Sequence, residues 1–183
     1  MIAALEVFDG CPLKQAALNL CVYDGNPQAP VMLIGEAPGA EEDRQGKPFV
    51  GQSGQLLDRI LACIDLDRSG CFITNTIFWR PPGNRTPTPE ELATCLPFLE
   101  RQIALLEPKV LMFVGGTAAR ALLGLNEGIT RMRGQRYTYR VNETLSVPAF
   151  VTFHPAYLLR QPGQKRLAWR DWVSLRQWLD ANV

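Results

Sequence analysis

The chain has 183 residues, of which 46% are apolar, 20% charged and 9% aromatic, and its formal net charge is +1. That length suits one domain, residues 1–183, with room for a hydrophobic core. No apolar run approaches the roughly 20 residues that cross a bilayer, and the first residues lack the basic start and small-residue cleavage site of a secretory signal, so a cytoplasmic protein without a membrane partner is expected.

Four short runs rich in β-branched and aromatic residues read as buried strands: 31–34, 72–78, 110–114 and 149–153. Between the first two, residues 53–64 predict a helix with Leu56, Leu57, Ile60 and Leu61 on one face. A second helix is expected over 88–106, with Thr88 as N-cap, Pro89 in the first position, and Glu90 and Glu91 at the positive end of the dipole. Pro97 should kink or split it. After Val114-Gly115-Gly116 comes a short helix with Thr117 as N-cap and Gly124 as terminator. Residues 137–147 alternate around Asn142 and read as an antiparallel hairpin. The last helix, 166–179, places Trp169, Trp172, Leu175 and Trp178 at a spacing that predicts a core face.

Charge is unevenly spread. Between Arg131 and Arg170 eight basic residues accompany one acid, Glu143, whereas the rest of the chain is acidic overall. Such a segment offers phosphates an electropositive surface, or is simply a solvated face. The five cysteines (Cys11, Cys21, Cys63, Cys71 and Cys95) are odd in number, irregularly spaced and without a Cys-x-x-Cys pair. They predict no disulfide framework, and Cys63 and Cys71 read as small buried hydrophobes.

Alternating strands and helices predict an α/β fold with a parallel sheet covered on both faces. Ligands bind such sheets beyond the carboxyl ends of the strands. That rule brings together Glu36, Asn75 and His154, the only histidine. Each has an ordinary reading as well: Asn75 as a turn former, His154 as a structural imidazole, and the acids at 41–43 as a solvated loop. The glycines form neither a dinucleotide fingerprint nor a P-loop, and Gly51-Gln52-Ser53-Gly54 lacks the spacing of a nucleophile elbow.

Three blocks carry a resemblance. Gly35-Glu36-Ala37-Pro38-Gly39, Glu42-Asp43 and 46–54 form the first. Ile73-Thr74-Asn75 with 80–85 and 87–91 form the second, and Phe153-His154-Pro155-Ala156-Tyr157-Leu158-Leu159-Arg160 the third. In this order they resemble the family 4 uracil-DNA glycosylases over nearly the whole chain. The resemblance implies a three-layer α/β/α sandwich around a four-stranded parallel sheet of order 2-1-3-4, and a monomer acting on uracil-containing DNA in base-excision repair. It implies that Phe49 stacks on an extruded uracil, that Asn75 reads the base's Watson–Crick edge, and that Gly35, Glu36 and Ala37 shape the pocket. Glu42 would lie near C5 of the base. His154 would donate a hydrogen bond to uracil O2, while the group orienting the water stays open between Glu36, Glu42 and the backbone. Leu158 and Leu159 would enter the duplex. Arg160, Gln164, Lys165 and Arg166, with the Ser53 and Gly54 amides, would hold phosphates.

Family 4 enzymes usually carry a [4Fe–4S] cluster on four cysteines. Here Cys11 and Cys95 match two positions, whereas Lys14 and Trp79 occupy the other two. Neither can ligate iron, so no cluster and no other metal or cofactor is expected. Two readings stand beside uracil excision: a glycosylase for hypoxanthine or xanthine, and a DNA-damage-binding paralogue without turnover.

Overall fold

A computed structural model describes residues 1–183. Six strands form one mixed sheet: β1 (Asp24–Gly25), β2 (Val31–Gly35), β3 (Cys71–Asn75), β4 (Val110–Val114), β5 (Arg136–Arg140) and β6 (Ser146–Thr152). Their spatial order is β1-β3-β2-β4-β6-β5. The four apolar runs are the central strands β3-β2-β4-β6, parallel to one another. The expected four-stranded sheet is too narrow, because an antiparallel strand is added at each edge. β1 has only two residues, too few for a periodic signal. The other edge comes from the hairpin, whose turn Asn142 closes by accepting from the Thr144 and Leu145 amides at 2.9 and 2.8 Å. Its second arm and the fourth parallel strand are one continuous strand, β6.

The helices are α1 (Ile2–Val7), α2 (Leu13–Ala16), α3 (Ala40–Gln45), α4 (Gln52–Ala62), α5 (Pro89–Leu106), α6 (Gly116–Leu123), α7 (Ile129–Met132), α8 (Pro155–Arg160) and α9 (Lys165–Asn182). Successive strand residues point to opposite faces, which explains why the central strands are apolar throughout. Met32, Ile34, Leu111, Phe113 and Val151 join one core with Cys95, Leu99 and Ile103 of α5 and Ala118, Ala119 and Leu122 of α6. Val31, Leu33, Val110 and Met112 join the other with Leu57 and Leu61 of α4, Leu158 of α8 and Trp172 and Leu175 of α9. Two cores flank one sheet, and the C-terminal strand ends are left to the loops.

Local expectations fared unevenly. Thr88 caps α5 in a reciprocal capping box with Glu91, but the helix continues through Pro97 without splitting, held by the buried Cys95, Leu99 and Ile103 on either side of it. The second apolar run stops being a strand at Asn75, where the Thr76 amide turns to the Gly35 carbonyl at 2.9 Å. Gly115, with φ 110°, caps α6 in place of Thr117, and Gly124 ends it in the left-handed region as expected. Cys71 is buried, whereas Cys63 is exposed at the end of α4. Trp169 is also exposed, because the buried stripe of α9 runs through Ala168, Trp172, Leu175 and Leu179.

Candidate active site

A cleft of about 870 Å³ opens at the C-terminal ends of β2 and β6. Glu36 and Ala37 follow β2 into it, and His154 arrives two residues after β6. Phe49 to Ser53 supply one wall, Asn84 to Thr86 another, and Leu159 and Arg160 of α8 the rim. Asn84 and Arg85 of the second wall belong to the second resembling block, which gave them no role of their own. The wall is fixed by Arg85, whose guanidinium grips the α5 capping carboxylate Glu91 at 2.6 and 2.8 Å.

His154 is the N-cap of α8, and its Nδ1 accepts the Ala156 amide at 3.1 Å. An acceptor at Nδ1 leaves the ring proton on Nε2. Burial, reinforced by the Arg160 charge and opposed by Glu42, pushes the imidazole pKa down to about 4. The ring is therefore neutral at physiological pH, with one N–H to donate.

The His154 ring stacks on Phe49, with centroids 5.6 Å apart and planes inclined by 29°. Phe49 has φ 53°, a left-handed backbone that costs an aromatic residue on the order of 1–3 kcal/mol. Arg68 holds it there: its guanidinium donates to the Phe49 carbonyl and is itself paired with Asp24 at 2.7 Å and Asp58 at 2.8 Å. The same carbonyl explains Gly54, because any side chain there would collide with it. Gly54 is buried and does not line the cleft. Ser53, in the first turn of α4, does line the cleft.

Gly35 and Asn75 lie at paired positions of β2 and β3. A methyl group on Gly35 would clash with Asn75 Oδ1 and would meet Phe49 Cζ at 2.5 Å, so only glycine lets the phenyl ring and the carboxamide share this corner. Asn75 is 1% exposed, does not line the cleft, and its Oδ1 has no hydrogen-bond partner. Imidazole and phenyl ring thus form the cleft floor, with the carboxamide covered beside the ring.

The two candidate carboxylates differ in what binds them. Glu42 accepts from the amides of Gly39, Val50 and Gly51 at 3.1, 2.9 and 2.8 Å, so both its oxygens tie the wall loop to the start of α3. Glu42 also lines the cleft, where it clamps the wall loop. Glu36 has one protein partner, Thr117 Oγ1, which donates to Oε2 at 2.6 Å. Thr117, freed from capping α6, stands behind Glu36, a contact that its capping pattern concealed.

The model of the uracil DNA glycosylase superfamily matches residues 22–173. The chain belongs to the uracil-DNA glycosylase superfamily. It is 40% identical to a type-4 uracil-DNA glycosylase of Pyrobaculum aerophilum, over 95% of this chain and 93% of the relative. It is 36% identical to one from Sulfurisphaera tokodaii, over 91% of this chain and 78% of that one. A third, from Thermotoga maritima, is 41% identical over 82% of this chain and 77% of its own length.

This glycosylase-family chain presents only part of the expected DNA-contacting set at the cleft. Leu159 is 41% exposed on the rim, but Leu158 is 1% exposed inside the core that it shares with Leu57 and Leu61 of α4 and Trp172 of α9. Leu158 thus packs in the core here, and of the two leucines Leu159 is the one presented at the rim. Arg160 lines the cleft, whereas Gln164, Lys165 and Arg166 stand beyond it, in the turn before α9 and on its first turn.

The cluster positions of the family do not fit a four-thiolate group here. Cys11 and Cys95 approach to 4.0 Å between sulfurs. Lys14 points its ammonium at the Glu6 and Phe8 carbonyls and Asp9, at 2.6, 3.0 and 2.8 Å. Trp79 is buried in the same core as Cys11 and Cys95. The Cys21 thiol turns away to the Glu42 carbonyl at 3.1 Å, so no third sulfur completes the set. No helix in the chain is long and apolar enough to cross a membrane.

Proposed function

We propose that this chain hydrolyses the N-glycosidic bond of uracil in DNA, leaving an abasic site. The observation that carries the reading is the buried, unpartnered Asn75 Oδ1 beside an aromatic ring and a neutral imidazole. An orphaned buried acceptor costs about 1–3 kcal/mol, and the N3–H of a uracil is the donor that relieves it. The base enters against Phe49, whose ring moves off Gly35 and opens the carboxamide to the Watson–Crick edge. Cytosine presents an acceptor at N3 and a donor at C4, so a fixed carboxamide leaves it with unpaired groups at about 1–3 kcal/mol each.

As the bond breaks, the sugar gains oxocarbenium character and negative charge collects on uracil O2. The Nε2–H of His154 is stronger toward that oxygen in the transition state than in the ground state. Glu36, oriented by Thr117, holds the water and faces the cationic sugar. Leu159 fills the gap left by the flipped nucleotide, and Arg160, Lys165 and Arg166 engage phosphates as a monomer binds. The N-terminal segment carries no iron–sulfur cluster, with Lys14 stapling where a thiolate would ligate.

Oligonucleotides bearing uracil, hypoxanthine or xanthine, single- and double-stranded, followed by alkaline cleavage, test the reading. Uracil strands should be cut. Cleavage confined to the purine lesions supports the second glycosylase reading, and no cleavage at stoichiometric protein supports damage binding without turnover. Iron and acid-labile sulfide, assayed on anaerobically purified protein, should both be absent, and four irons per chain would contradict the staple.

A further inference from the structure

Three of the four tryptophans have a place in the fold: Trp79 and Trp172 are buried, and Trp178 packs edge-on against Phe150 at 6.5 Å. Trp169 has none. It is 43% exposed, it has no aromatic neighbour in stacking range, and the cation–π contacts of the chain are Arg133 on Phe153 and Arg136 on Phe150. On α9 it stands four residues after Lys165 and three after Arg166, so all three share an exposed face, with exposed Arg170 adjoining. None of these cations has a salt-bridge partner: the acids of α9 are engaged elsewhere, Asp171 by Arg133 and Asp180 by Arg176. An uncompensated basic face around an unpartnered indole combines backbone attraction with a stacking surface.

This face adjoins the cleft. Arg160 lies on the rim, and the five-residue step to Lys165 spans at most about 17 Å. Trp169 is a further rise of about 6 Å along the helix. A strand leaving the cleft at roughly 3.4 Å per nucleotide therefore reaches the indole within about seven nucleotides. In a duplex the faces of the bases are already stacked on their neighbours, whereas an unpaired base offers a free π-face.

We propose that the Lys165–Arg166–Trp169–Arg170 face of α9 binds single-stranded DNA flanking the target nucleotide, with one unpaired base stacked on Trp169. The proposal rests on the glycosylase reading for its substrate, but its test does not require turnover. A uracil-free 15-nucleotide single strand and the matching duplex are titrated against wild-type protein, W169F and W169A, following tryptophan fluorescence and anisotropy of a labelled strand. The single strand should quench wild-type emission. W169F should lose most of the quench while binding within about threefold of wild type, and W169A should bind the single strand roughly tenfold more weakly with little change for the duplex. W169A binding the single strand as wild type does, or weakening equally on both substrates, overturns the proposal. Quenching that occurs in a protein unable to release uracil supports this face while refuting the catalytic reading, so the two failures are separable.

Discussion

Replacing His154 by glutamine tests the electrostatics of the site through stability. Burial pushes the imidazole pKa down to about 4 in the fold, from its ordinary value of 6.5. Between those values the unfolded chain holds a proton that the native site excludes. Stability therefore falls as pH drops from 6.5 toward 4, and this contribution is fully present only above 6.5. At about 1.4 kcal/mol per unit, the shift corresponds to at most about 3 kcal/mol. Glu41, Asp67, Glu90 and Glu91, all held below the usual carboxylate range by hydrogen bonds, also weaken the fold in acid, so the difference between wild type and His154→Gln isolates the imidazole. Urea unfolding from pH 7.5 to 4 should show wild type losing up to about 3 kcal/mol more than the variant. His154 is the only histidine, so its imidazole resonances can be followed without assignment ambiguity in the same samples. Parallel stability curves, or an imidazole titrating near 6.5, would refute a half-buried neutral ring capping α8.

Thr117→Val removes the single hydrogen bond that orients Glu36 and should lower kcat on the order of tenfold with KM little changed, while Thr117→Ser restores it. Gly35→Ala pushes Phe49 and Asn75 apart and should slow uracil release about a hundredfold in folded protein, read by single-turnover kinetics. Leu158→Ala should destabilise the fold by about 2–5 kcal/mol in urea, whereas Leu159→Ala should leave stability unchanged and reduce activity on duplex more than on single-stranded uracil.

The central strands were legible because burial on both faces makes them continuous apolar runs. The edges were not: β1 has two residues, and β5 is mostly exposed. Ser/Thr patterning located Thr88 correctly and Thr117 wrongly, since Gly115 reaches φ 110° and releases the threonine hydroxyl to Glu36. Strand order was enough to bring Glu36 and His154 to one cleft and to put Asn75 at the last position of β3. The packing of the site was not legible. That Phe49 covers Asn75 depends on a positive φ set by Arg68, which lies 19 residues away in sequence. Helical spacing put Trp169 in the core, whereas it is exposed, and the resemblance put Leu158 at the duplex, whereas its side chain is buried: a period gives neighbours along a helix, but which arc meets the sheet is decided by the docking of α8 and α9.

Single-turnover release of uracil, measured side by side for wild type, Asn75→Ala and His154→Ala, tests most directly whether the Phe49 corner is the reacting site. The account predicts release by wild type, and in both folded variants a rate at least about tenfold slower, as expected when a reading or oxyanion donor is lost. Release by either variant at the wild-type rate would contradict it.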